Sequence, residues 1–212
     1  MNANYDFSLT VGRAALLVVD LQRAFCERRV SDALGFEGSD YFWDRVDDLV
    51  LPNAHGLISA ARQAGVEVIY TVIEALTQDG RDRSLDHKRC NFLIPKGSPG
   101  AAVAPSIAPQ GDEMVIPKTS SGIFNSTNID YILHNLGVER LVVFGVYSHQ
   151  CVEGAVRDAS DRGYLVTLVP DACAAKTAAQ DAATMEGMKA YARLAETAAV
   201  IEELRRIESA AA

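Results

Sequence analysis

The chain is poor in cysteine, histidine and positive charge, and has no long apolar run; each shortage removes a class of protein. Its four cysteines, Cys26, Cys90, Cys151 and Cys173, are far apart and form no CxxC pair. That is neither a zinc-ligand spacing nor a disulfide framework, so reduced thiols are expected. No stretch approaches the roughly 20 apolar residues of a spanning helix. The N-terminus lacks a basic region, an apolar core and a cleavage site in succession, and the expectation is a cytoplasmic chain. Twenty Lys and Arg stand against 28 Asp and Glu, a net charge of −8. That balance disfavours nucleic acid and anionic membranes as partners and leaves a small neutral substrate open. Lys96-Gly97-Ser98 is not a phosphate loop, because the GxxxxGKS/T spacing is missing. Without repeats, low-complexity segments or a linker, the 212 residues read as one domain.

What is present alternates. Apolar runs at 14–19, 66–72, 113–117, 141–146 and 164–169 read as buried strands. Helical spacing marks 44–65, with Pro52 as a break or restart, then 126–136 with Asn125 or Ser126 as cap and Gly137 as stop. Further helices are expected over 151–163, 180–194 and 197–207, the last with Thr197 as N-cap. Residues 1–13 read as a loosely held arm. Residues 21–40 read as a loop with aromatic teeth, and 73–111 as a long loop of the kind that is often functional. Strand-helix alternation predicts an α/β fold, a doubly wound parallel sheet in three αβα layers. Ligands bind such sheets outside the strands' carboxyl ends. Asp20, Lys118 and the turn before Cys151 all fall there. Singly, Asp20 could cap a turn, Lys118 could be solvated and Cys151 could be a small packed residue; jointly, at one rim, they point to chemistry.

The stretch 141–163 carries the most information. It reads strand, short polar turn, then a helix opened by Cys151 and ended by Gly163. Free N–H groups and the dipole at a helix start stabilise a thiolate and can receive an oxyanion. A serine triad is the competing arrangement, but His149 directly follows Ser148 and no G-x-S-x-G elbow exists. His55 and His134 read as solvated or capping residues, and His87 carries no assignment.

The motifs Leu17-Val18-Val19-Asp20-Leu21-Gln22 with Phe25, Ile116-Pro117-Lys118-Thr119-Ser120-Ser121-Gly122-Ile123-Phe124, and Gly145-Val146-Tyr147-Ser148-His149-Gln150-Cys151-Val152-Glu153 resemble those of the isochorismatase-like cysteine hydrolases. Arg-Asp-Arg-Ser at 81–84 and Pro-Lys-Gly-Ser at 95–98 also look familial. The likeness spans almost the whole chain. It implies a catalytic triad of Asp20, Lys118 and Cys151 and a cis peptide between Val146 and Tyr147. It further implies an oxyanion hole from the backbone N–H groups of Tyr147 and Cys151, no cofactor, and a homo-oligomer, dimer or tetramer. Nicotinamidases of this group carry an Asp-x-His metal cluster after the first motif. Residues 21–54 here contain no histidine, so neither a metal nor nicotinamide is expected.

The implied activity is cleavage of a C–N bond in a small ureide or carbamoyl amide, through a thioester and with loss of ammonia. Phe25 is expected against a planar group, and Phe36 and Trp43 as a lid. Glu74, Asn91, Ser121, Asn125 and Gln150 are expected to offer hydrogen bonds. Such a wall suits biuret or triuret. Ureidoacrylate amidohydrolases carry tyrosine where Ser121 stands, which weakens that alternative. An N-carbamoyl amino acid amidohydrolase, an isochorismatase-type hydrolase of a vinyl ether and a non-catalytic binding protein of the same fold remain as further readings.

Overall fold

A computed structural model describes residues 5–36 and 38–211, the side chains of 208–211 excepted. Six parallel strands form one sheet: β1 Ala14–Val19, β2 Glu67–Ile73, β3 Met114–Lys118, β4 Arg140–Val146, β5 Leu165–Ala174 and β6 Arg193–Leu194. Their order is β3-β2-β1-β4-β5-β6. Every residue of β1 is buried, which requires cover on both faces of the sheet. The connections supply it through α1 Arg23–Cys26, α2 Arg28–Ala33, α3 Asp40–Arg45, α4 Leu51–Gln63, α5 Leu85–Arg89, α6 Ile123–Ser126, α7 Ile129–Asn135, α8 Glu153–Asp161, α9 Ala178–Met188 and α10 Thr197–Ala211. Helices α4 and α10 pack on each other and on β5, while α6 packs on α8. This is the α/β architecture expected from the alternation. Among the described residues no helix is long and apolar enough to cross a membrane.

The chain leaves β1 in one direction through β2 and β3, then returns to place β4 on the other side of β1. Connections therefore diverge above the carboxyl ends of β1 and β4, opening a crevice at that reversal. Gly145 makes the close approach possible. Its φ is +134°, and a Cβ there would stand 2.0 Å from the Val19 carbonyl oxygen. No other residue fits such a place.

Several expected boundaries shift, each for a physical reason. The loop expected over 21–40 holds α1 and α2. Helix 44–65 starts earlier, at α3, and passes through a wide turn over Val46–Val50 in which the Leu51 N–H reaches back to the Val46 carbonyl. The wide turn precedes Pro52, whose ring would otherwise press on a preceding carbonyl. The helix expected over 126–136 is split into α6 and α7 by an extended Thr127. Ser126 Oγ donates to the Gly122 carbonyl at 2.7 Å and Thr127 Oγ1 to the Ile123 carbonyl at 2.8 Å, local bonds of the kind that compete with helix bonding.

Strand β5 runs on through Pro170 because its register with β4 slips there: Leu168 faces Val143, but Cys173 faces Gly145. Proline is tolerated in such an irregularity. The helix expected to reach 194 ends at Met188, and Arg193 and Leu194 pair with β5 instead. Arg193 is fixed by Glu203 at 2.8 Å and donates to Thr167 Oγ1 at 3.1 Å, the latter a long-range contact with no local signature. Thr197 does not cap its own helix; its hydroxyl donates to Asp171 at 2.9 Å. The arm is held at Leu9, which is buried in the core.

Candidate active site

Asp20 closes β1 in a left-handed conformation, φ +55°. Its N–H donates to the Thr71 carbonyl at 3.0 Å, and Thr71 Oγ1 donates to Asp20 Oδ1 at 3.1 Å. Neighbouring β2 thus fixes the carboxylate. Gln22 fixes the chain beyond it: its amide donates to the Ile73 and Gly100 carbonyls and accepts from the Ile73 N–H. Lys118 ends β3, and its ammonium lies 2.9 Å from Asp20 Oδ2 with neither side chain exposed. Lys118 Nζ also donates to the Ser120 carbonyl at 2.9 Å and lies 3.4 Å from Cys151 Sγ. Asp20 Oδ2 is sealed from solvent and faces the Lys118 ammonium, and the Asp20 carboxylate is also an acceptor for the Cys151 thiol. Both carboxylate oxygens are therefore engaged, Oδ1 by Thr71 and Oδ2 by Lys118, and Oδ2 keeps a second lone pair.

Cys151 does not open α8. It sits one turn earlier, in a wide turn over Ser148–Val152 in which the Val152 N–H donates to the Tyr147 carbonyl at 3.2 Å. The Val146–Tyr147 peptide is cis. The Tyr147 N–H has no partner among the described residues. Behind this turn, Ser148 Oγ donates to Asp181 Oδ1 at 2.5 Å. Tyr41 donates to Asp181 Oδ2 at 2.7 Å, and Arg45 Nε lies 3.3 Å from the same oxygen. Ser148 thus bonds the carboxylate directly and forms no triad with His149.

The thiol is not the low-pKa group expected from a helix start. Burial pushes Cys151 up to about 12; Lys118 pulls it down and Asp20 pushes it further up. Burial alone would lower Lys118, but attraction by Asp20 and Cys151 outweighs it and holds the ammonium above the ordinary lysine range. The resting site is then an ammonium–carboxylate pair beside a neutral thiol, because burial of two opposite charges costs less than burial of three.

A cavity of about 380 Å³ opens above the sulfur, and both Asp20 and Cys151 line it. A larger depression of about 490 Å³, beside Tyr5, Tyr164 and Tyr191, shares no lining residue with it, so size alone does not select the site. Of the residues expected around substrate, Phe25, Phe36, Ser121 and Gln150 line the cavity. Trp43, Glu74, Asn91 and Asn125 do not. Trp43 is buried against Phe42 with Arg28 over its face. Glu74 accepts from the Gly97 N–H at 2.7 Å. Asn91 takes φ +51° at an exposed turn, and Asn125 accepts from Ser120 Oγ at 3.1 Å.

Asp86, His87, Cys90 and Phe92, within the long loop expected to be functional but not singled out there, and Lys176 also line the cavity. Phe92 brings the aromatic wall together, with its ring 4.5 Å from Phe36 and 5.9 Å from Phe25, near-parallel to both. Only the pattern Ser84-Leu85-Asp86-His87, a Ser cap before a short helix, could have drawn attention to this segment. The Ser84 side chain does accept from the His87 N–H.

A family model described as the isochorismatase domain matches residues 14–201. The chain is 30% identical to the ureidoacrylate amidohydrolase RutB of Rhizobium rhizogenes, over 78% of this chain and 72% of that protein. It is 33% identical to a probable inactive nicotinamidase of Arabidopsis thaliana, over 82% of this chain and 87% of the relative. Among solved structures it resembles a cysteine hydrolase from Pseudomonas syringae pv. phaseolicola, with TM-score 0.83, 24% identity and coverage of 95% of this chain and 97% of that one. An N-carbamoylsarcosine amidase from Thermoplasma acidophilum shares the fold at TM-score 0.69 and 23% identity, over 87% of this chain and 96% of that one.

Proposed function

The chain belongs to the isochorismatase family of hydrolases, and from that premise we propose that it is a cysteine-dependent amidohydrolase of small planar ureides, of the biuret or triuret type. The observation that carries this reading is Lys118 Nζ, 2.9 Å from Asp20 and 3.4 Å from Cys151 Sγ at the floor of a cavity. Asp20 Oδ2, which has a free lone pair, takes the thiol proton as sulfur attacks the amide carbon. Because the thiol is held protonated at rest, this transfer accompanies attack. Lys118 stabilises the charge that appears on sulfur. The N–H groups of Tyr147 and Cys151 receive the oxyanion; one such donor is typically worth ~3 kcal/mol. Collapse expels the amine, which leaves as ammonia with the proton from Asp20. Water, deprotonated by Asp20, then attacks the thioester, releasing the acid and restoring the thiol.

The near-parallel rings of Phe25, Phe36 and Phe92 suit a flat substrate. A second reading, ureidoacrylate or an N-carbamoyl amino acid, is favoured by the relative named above and by Lys176. This exposed ammonium at the cavity rim offers a partner for a carboxylate. Ammonia release from biuret, triuret, ureidoacrylate, carbamoylated amino acids and nicotinamide separates the two. The first reading expects release from biuret or triuret, and release from carboxylates alone would replace it with the second. A Cys151→Ala protein with full turnover would falsify both.

A further inference from the structure

Among the described residues, His87 is the one buried polar side chain of the cavity that the mechanism leaves idle. It is 5% exposed, on α5, and its ring lies 4.9 Å from that of Phe92. Neither ring nitrogen has a hydrogen-bond partner among the described residues, and only Nδ1 is sealed from solvent. Nε2 therefore keeps access, and the cavity above Cys151 is the space that His87 lines.

The charge and the tautomer follow from the surroundings. Asp86 and Asp20 favour a charged ring, whereas burial, Lys118 and Arg83 oppose it, and the balance lies on the neutral side. A proton on Nδ1 would bury an N–H with no acceptor. A buried N–H without an acceptor is the rarer defect in folded proteins. The proton thus sits on Nε2, the nitrogen that keeps access, which makes His87 a donor at the cavity it lines.

The oxyanion hole already serves the carbonyl under attack, so a donor elsewhere in the cavity needs a different oxygen. We propose that His87 Nε2–H binds a second carbonyl oxygen of the substrate and so selects amides that carry two carbonyl groups in one flat chain. This rests on the amidohydrolase reading and narrows it. The aromatic wall orients the plane of such a chain; the imidazole fixes its direction within that plane. His87 is then a substrate-positioning residue, and the bond is made in the ground state, so its loss falls on KM rather than on kcat.

The test is calorimetric binding of biuret, with two carbonyls, and N-methylurea, with one, to Cys151→Ala protein with and without a change at His87. His87→Leu should weaken biuret about tenfold or more, the cost of an unmet carbonyl in a dry site. His87→Gln, whose amide nitrogen can stand in for Nε2, should restore it to within a few-fold. N-methylurea should be indifferent to both. Ring ¹⁵N spectra of the Cys151→Ala protein need no change at His87; they should show Nε2 protonated and shifted by biuret. Equal losses for both compounds, Gln no better than Leu, or an unmoved Nε2 signal overturns the proposal. Ammonia release from single-carbonyl amides by wild-type protein that does not bind biuret would overturn it while leaving the amidohydrolase reading in place. Release from no amide at all removes both.

Discussion

Two buried carboxylates stand close to the nucleophile turn, and they are built to opposite ends. Asp181 is saturated: one oxygen accepts from Ser148, the other from Tyr41 and faces Arg45. Arg45 in turn donates to the Cys173 and Pro170 carbonyls. Asp20 is ion-paired to Lys118 as well, but its carboxylate also acts on a reactive thiol and lines a cavity. A satisfied network closed off on all sides rigidifies, whereas a carboxylate that lines open space beside a thiol is available for chemistry. Asp181 holds the turn in place, and Asp20 acts within it.

Substitution is the strongest way to break this contrast. Cys151→Ala should bring turnover to background, and Asp20→Asn should cost about 10²–10⁴-fold in kcat, the range for a general base. Both should keep the circular dichroism of the wild type. Asp181→Asn should behave the other way. It removes the charge that faces Arg45 and puts an NH2 donor where Ser148 or Tyr41 now finds an acceptor, which should cost about 1–3 kcal/mol of stability, a fall of several degrees in melting temperature for a chain this long, with a much smaller loss of kcat. Thermal melts and initial rates on the two variants decide the matter. If Asp181→Asn matches Asp20→Asn in rate and leaves the melt unchanged, the division of labour is wrong.

Alkylation sharpens the contrast without a substrate. With its thiol held up to about 12, Cys151 should react faster with iodoacetamide as pH rises well past 9, where an ordinary thiol has levelled off. Asp20→Asn removes a charge that pushes the thiol up, so its profile should move to lower pH. Lys118→Met removes the one that pulls it down and should move it higher. Peptide mapping separates Cys151 from the exposed Cys90. Identical profiles in all three proteins would mean that these charges do not act on the sulfur.

The smallest effect concerns acid. His87 and His149 are both held below the ordinary histidine range, mainly by burial, and each has a sealed Nδ1 without a partner. Below a pH of about 6.5 the unfolded chain takes up protons there that the folded chain resists, so stability present above that value is lost as pH falls. The melting temperature should begin to drop near pH 6.5, and less steeply in His87→Gln. An unchanged slope in that variant would place the acid sensitivity elsewhere.

The sheet and the rim were legible because apolar runs, turn residues and strand-end polar groups are local signals. Asp20, Lys118 and Cys151 each end or follow such a run. The cavity wall was not legible. His87 and Phe92 lie in a long segment without periodicity, and only the fold of that segment brings them to Phe25. Trp43 looked like a lid residue, yet Phe42 and Arg28 hold it in the core. The thiol's environment misled for a related reason: Cys151 lies in the turn before α8, and the cost of burying a thiolate outweighs the charges that favour it. Strand β6 rests on Arg193 and Leu194 pairing with Thr167 and Leu168, residues too distant in the chain for any local pattern to show it.

The most direct test of the central claim is acid quenching of the protein during turnover of biuret, followed by mass mapping of the peptide that carries Cys151. An acyl group on that sulfur, with ammonia released in step and neither seen in Cys151→Ala, is the predicted result. Continuing ammonia release with the sulfur unmodified, or from the alanine variant, would contradict it.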